Sequence, residues 1–288
     1  MHELPGGPVE IVTSQPAPAI DVRSLLAAKN ARLARRLPRS AIRLLELLIH
    51  QRELRQFVKR TAGCSGCELV EAALAELEIT IDSDAVDSDA VAGLPESPNI
   101  VVCANHPTGG VDGLVLMHLL CTRYGGLRLP ANDLLLALPG FSEVIAPVDK
   151  YASNASRATV YAEMYRGEVP VLIFPAGRTA RFYGGRLREY RWNKAFIKHA
   201  RRRHRQLVPV HVSGRNSCHF YALWHLRRTL RIKPNLEMFL LVDELARRRG
   251  DRVCVRVGAP LDPSKARGPR EDDQLAQRLR LRVERGRP

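Results

Sequence analysis

Residues 99–113 read NIVVCANHPTGGVDG, and how this stretch is read decides the fold. Ile100, Val101 and Val102 make a short, continuous apolar run. It suits a strand buried on both faces better than a helix. From Val111 to Tyr124 the apolar residues recur at helical spacing. The stretch therefore predicts a strand, a tight turn and a helix, with His106 and Asp112 in or beside the turn. Ligands of open α/β sheets sit at such carboxyl ends of strands. Asp112 lies close enough in sequence to bond one imidazole nitrogen. That would fix the tautomer and leave the other nitrogen as a base, with an ordinary pKa of about 6.5. Gly109 and Gly110 allow the turn and bring backbone N–H groups near a ligand, and Asn105 stands beside them. The plainer reading of the same residues is a glycine turn with a capping Asp and an incidental His.

Outward from this unit the pattern repeats. Strands are expected at 127–129, 144–148, 169–174, 207–212, 236–242 and 253–257, with helices at 133–138, 156–166 and 193–203. The alternation predicts an α/β fold, a mainly parallel sheet flanked by helices, over residues 99–262. Residues 1–20, with four prolines, read as a flexible lead. Residues 21–81 read as an N-terminal helical subdomain, with helices opening at Asp21, Ser40 and about Cys67. Residues 82–98, rich in Asp, read as an acidic linker, and 263–288 as a basic tail or helix.

The net charge is +15, and the excess is local. Between Arg178 and Lys233 there are sixteen Lys or Arg and one acid, Glu189, while the remainder balances. Such a segment calls for an anionic partner: lipid headgroups, an acidic carrier protein, nucleic acid or substrate phosphates. No apolar run reaches the roughly 18 residues of a membrane span, so membrane contact is expected to be peripheral. The N-terminus lacks a secretory pattern, which makes disulfides among the six cysteines unexpected. Cys64 and Cys67 have the spacing of half a zinc site, without a second pair to complete it, so no metal is expected. No glycine-rich nucleotide motif occurs either.

Three further segments complete a pattern. Phe174-Pro175-Ala176-Gly177-Arg178-Thr179-Ala180-Arg181 lies at a strand end, where a Pro-x-Gly turn would aim Arg178 and Arg181 at the crevice. Arginine pairs in a bidentate way with phosphate or carboxylate. Val208-Pro209-Val210 interrupts an apolar strand with proline, and 144–150 reads VIAPVDK. In this order the segments resemble the glycerolipid and lysophospholipid acyltransferase family. That family has a His-x4-Asp box, a weaker second block, a Phe-Pro-Glu-Gly-Thr-Arg-Ser block and a Val-Pro-Val block. His106 and Asp112 match the first; Phe174, Pro175, Gly177 and Arg181 match the third; Val208, Pro209 and Val210 match the fourth. The resemblance spans about residues 99 to 260.

There are two departures. The first box is His-x5-Asp, and Asn-His-Pro-x-Gly-Gly-x-Asp-Gly is similar to a bacterial branch that includes ornithine-lipid and hemolysin-like acyltransferases. Ala176 replaces the Glu of the third block. The resemblance implies acyl transfer from an acyl carrier protein or CoA thioester, a co-substrate and not a resident cofactor, to a lysolipid hydroxyl. His106 would be general base and Asp112 its partner, with Asn105, Gly109, Gly110, Pro175, Gly177, Arg178 and Arg181 at the substrate. The acceptors in view are lyso-ornithine lipid and lysophosphatidic acid, at the cytoplasmic face of the inner membrane. The rival is a basic, non-catalytic nucleic-acid- or lipid-binding protein. It accounts for the charge but not for the ordered blocks.

Overall fold

The computed structural model describes residues 21–22, 24, 27, 35, 37–82, 91–131, 140–147, 154–231, 237, 240–286 and 288. Strand β2, Ile100–Ala104, is buried at every position. Its alternation serves two cores. Ile100, Val102 and Ala104 face one cluster, and Val101 and Cys103 the other. A strand covered on both faces has no place for a polar side chain, which is why IVVCA reads as one apolar run.

Among the described residues the sheet has five strands, in the order β1-β9-β8-β2-β5. Here β1 is Thr80–Asp82, β5 Val171–Ile173, β8 Gln206–Val212 and β9 Arg252–Val257. All neighbours run parallel except β8 and β9. A further parallel pair, β3 (Leu129–Ala131) with β4 (Ile145–Pro147), continues from β5 through Arg128, whose N–H and C=O bond the 170–172 backbone. One face of the sheet is covered by α3 (Gly66–Glu76) and α4 (Val111–Tyr124). The other is covered by α5 (Asn154–Arg166), α6 (Ala195–Arg202) and α9 (Pro269–Glu284), through Tyr165, Ile197 and Leu279. Helices α1 (Arg39–Leu48) and α2 (Gln51–Arg60) precede them. His50, between these two, bonds Asp243 of α8 (Leu240–Ala246) at 3.0 Å.

Several expectations change. Residues 240–242 are helical, not a strand; short apolar runs such as LLV fit either state, and here they join a helix whose Glu244 is buried. Arg181–Tyr183 (β6) and Arg186–Arg188 (β7) form a hairpin around Gly184-Gly185, both at positive φ as a tight two-residue turn requires. A helix not anticipated, α7 (Cys218–Thr229), starts at Ser217, whose hydroxyl accepts from the Phe220 N–H. Cys67 and Cys121 are disulfide-bonded, with Cα atoms 5.5 Å apart. The absence of a secretory pattern argued against this, but it carries no information on where α3 starts and α4 ends, and packing places these ends together. The helix expected at 133–138 and most of the first helix, 21–37, lie outside the described residues.

The basic segment is less of a surface than its composition implied. Arg181 and Arg205 are buried. Arg201 pairs with Asp272 at 2.6 Å and Arg191 with Asp273 at 2.5 Å, both acids of α9. Arg178, Arg186, Lys198, Arg202 and Arg203 remain exposed.

Candidate active site

His106 follows β2 by two residues, and Phe174 follows β5 by one. The parallel register sets Cys103 beside Ile173, so the two rings meet just beyond the strand ends, stacked with centroids 4.1 Å apart. Asp112, in the first turn of α4, is fully buried and its Oδ2 lies 3.1 Å from His106 Nδ1. The same oxygen accepts from the N–H groups of Thr108 (3.0 Å) and Gly109 (3.2 Å), while Oδ1 accepts from Gly113 N–H (2.9 Å). With a carboxylate as acceptor, Nδ1 carries the imidazole proton and Nε2 is left to act as a base.

Burial alone would make the Asp112 carboxyl hard to ionise, but the His106 ring and the backbone N–H donors outweigh it and hold its pKa below the ordinary value. For His106 burial pushes downward, yet the charge and hydrogen bond of Asp112, with a further contribution from Glu189, leave the pKa above 6.5. Gly109, inside the His-x5-Asp turn, sits at φ +84. A Cβ there would lie 2.3 Å from Thr179 Cγ2, so both conformation and space demand glycine. Leu241 and Leu245 of α8 close over Gly109 and Gly110.

The other candidates separate. Asn105 is engaged internally: Nδ2 donates to Val212 O (2.8 Å) and Oδ1 accepts from Val212 N–H (2.7 Å), which ties β2 to the end of β8. The Gly109 N–H is committed to Asp112. Pro175 and Gly177 build the turn after β5, in which Gly177 N–H donates to Phe174 O (2.9 Å) and Asn193 N–H to Pro175 O (3.0 Å). Arg178 is exposed, 5.7 Å above the Tyr190 ring. Arg181 is buried instead of lining a rim. It pairs with Glu237 at 3.3 Å, donates to Thr179 and lies 4.8 Å above the Phe220 ring. His211 is a satisfied packing residue, with Nδ1 2.7 Å from Val283 O.

Sequence reasoning missed Glu189. Its carboxylate accepts from His106 backbone N–H (2.9 Å) and Trp192 Nε1 (3.3 Å), and burial pushes its pKa up to about 7. The signal was available, since Glu189 is the one acid in a basic stretch of 56 residues, 178–233. Among the described residues no group of three His, Cys, Asp or Glu is placed to hold a metal ion.

A strand-end His held by a buried Asp, beside an aromatic ring and under a glycine turn, is equipped to take a proton from a hydroxyl. Residues 24–284 match the acyltransferase family. Two relatives are both called lyso-glycine lipid O-acyltransferase. The one from Phocaeicola vulgatus is 31% identical over 84% of this chain and 86% of its own length. The one from Bacteroides thetaiotaomicron is 30% identical over 84% and 88%. A solved structure, the 1-acyl-sn-glycerophosphate (LPA) acyltransferase PlsC from Thermotoga maritima, aligns over 92% of this chain and 91% of its own, at 16% identity and a TM-score of 0.46. By the extent of these matches, the chain belongs to the acyltransferase family.

Proposed function

We propose that the protein transfers an acyl group from a thioester donor to the hydroxyl of a lysolipid whose headgroup is an amino acid, with His106 as general base. The observation that carries this reading is the buried Asp112 bonded to His106 at the strand ends. His106 Nε2 takes the acceptor's hydroxyl proton as its oxygen attacks the thioester carbonyl. Asp112 stabilises the resulting imidazolium, the C–S bond breaks, and the proton passes to the leaving thiolate. The donor is acyl carrier protein or CoA. The amino-acid headgroup is supported by the names of the two relatives and by Ala176 in place of the family's Glu. Glycine has no side-chain hydroxyl, so we take the acylated oxygen to belong to a hydroxylated acyl chain, and that chain to be joined to the glycine nitrogen as an amide. An ornithine headgroup meets the same requirement.

Purified protein supplied with acyl carrier protein or CoA thioester is expected to acylate lysolipids of glycine or ornithine with higher kcat/KM than lysophosphatidic acid. A preference for the phosphate acceptor would overturn the headgroup assignment and leave acyl transfer intact.

As a base His106 must be neutral, so kcat/KM is expected to fall as pH drops through a value above 6.5, the direction in which its pKa lies. Glu189→Gln removes a negative charge close to the ring and should move that limb to lower pH. An unmoved limb would mean that Glu189 has no electrostatic part.

No helix among the described residues is long and apolar enough to cross a membrane. We place the protein at the cytoplasmic face of the inner membrane, held peripherally. Leu44 and Leu47 of α1 are 56% and 72% exposed beside exposed Arg39 and Arg43. Leu226 and Leu230 stand exposed near Arg228 and Arg231. Exposed apolar side chains close in sequence to exposed cations suit an anionic bilayer, at about 1 kcal/mol per basic residue. In flotation with anionic vesicles the bound fraction should fall between low and high salt. Equal binding to neutral vesicles would remove the electrostatic component.

A further inference from the structure

Asn216 lies four residues beyond the carboxyl end of β8, just before the Ser217 cap of α7. It is 3% exposed, and among the described residues neither its Nδ2 nor its Oδ1 has a hydrogen-bond partner. Its backbone is fixed, with the N–H donating to the Tyr221 hydroxyl at 3.0 Å. Burying a carboxamide with both functions unmet is costly, and a fold that needed only to fill this space would use leucine.

The surroundings connect Asn216 to the reaction centre. Gly214, two residues earlier, packs so closely on Thr108 that a Cβ would lie 3.0 Å from Thr108 Cγ2, and the Thr108 N–H holds Asp112. Phe220 and Tyr221, which follow Asn216 on α7, meet the hairpin that begins at Arg181: the guanidinium lies 4.8 Å above the Phe220 ring, and Phe182 packs edge-on against Tyr221 at 5.0 Å. Arg181 Nε is likewise buried without a partner among the described residues. Among the described residues, the donor and acceptor of Asn216 and a cationic donor of Arg181 are thus unspent in segments that adjoin the site.

The molecule already shows what a buried asparagine can read. Asn105 takes the N–H and the C=O of a single residue, Val212, with one carboxamide, at 2.7 and 2.8 Å. In extended backbone these two groups of one residue point the same way. An N-acylated amino acid offers the same pair, an amide N–H and an oxygen of its own carboxyl group. A phosphate offers acceptors only and would leave Oδ1 facing negative oxygen. We propose that Asn216 determines acceptor specificity by binding the amide N–H and a carboxyl oxygen of an N-acyl amino-acid headgroup, Oδ1 accepting from the first and Nδ2 donating to the second. This rests on the reaction proposed above and names the group that selects its substrate.

The test compares the N-acylglycine lysolipid with its ester analogue, in which oxygen replaces the amide nitrogen, on wild type, Asn216→Leu and Asn216→Ser. Wild type is expected to lose about 10–100-fold in kcat/KM on the ester, because Oδ1 then faces an acceptor. Both variants should be slower on the amide, mainly through KM, and should discriminate against the ester by no more than a few-fold. Asn216→Leu should melt at or above the wild-type temperature. Equal ester discrimination in wild type and both variants would overturn the assignment, even with activity lowered throughout. Failure of wild type to acylate any amino-acid lysolipid would instead overturn the proposed reaction.

Discussion

His106→Ala is expected to lower kcat/KM by about 10²–10⁴-fold while the protein melts as before. The fold should tolerate the change: the ring is partly exposed and stacks on Phe174, and the strand beneath it is held by backbone pairing to β5 and β8. Asp112→Asn should approach the same loss for a different reason. All four hydrogen bonds at the Asp112 carboxylate are accepted ones, from His106, Thr108, Gly109 and Gly113. An asparagine must turn its NH2 against at least one of these donors, and it cannot offset the charge of an imidazolium. Steady-state turnover with a melting curve on the same preparation checks both. Activity within a few-fold of wild type in folded His106→Ala would exclude His106 as the base.

The second large effect concerns stability. Arg205, 2% exposed, donates to the carbonyls of Tyr165 (3.1 Å), Val169 (3.0 Å), Ile100 (3.2 Å) and Gly167, and so gathers the end of α5 and the starts of β2 and β5 around one guanidinium. Arg205→Leu leaves buried carbonyls unmatched and should cost on the order of 3–5 kcal/mol. For a chain of this size that is a fall of about 5–8 °C in Tm. Arg205 stands at the amino end of β8, and the seven residues of that strand place it about 20 Å from the His106 end. Turnover per folded molecule below the transition should therefore stay near wild type. A variant that melts normally would mean that solvent satisfies these carbonyls.

The parts of the fold that sequence revealed are those whose burial leaves a period. Ile100–Ala104 is apolar because both faces are covered, and Val111–Tyr124 because it packs on one of them. His106 and Asp112 were legible because a strand, two glycines and a helix put them together. What was not legible depends on contacts made across the chain. Glu237 takes Arg181 into the interior, so an arginine that looked directed at substrate serves packing first. Asn105 and Asn216 are indistinguishable as letters, but one carboxamide is met by Val212 and the other has no partner among the described residues. The hairpin at Gly184-Gly185 left a signal that was passed over. The antiparallel turn of β9 against β8 left none, since direction in a sheet is not a property of any one segment.

That sheet order has a consequence for how the molecule comes into being. Val101 must wait for Val171 and Ile100 for Gln206, and Thr80 on the outer edge waits for Arg252. During synthesis α3 and α4, both in the first half of the chain, emerge well before β8 and β9, two of the strands that shelter their apolar faces. Contacts so distant in sequence slow folding, because loop closure must precede any gain from pairing. The nascent chain therefore carries exposed apolar helices through most of translation, and chaperone dependence should be concentrated in that interval.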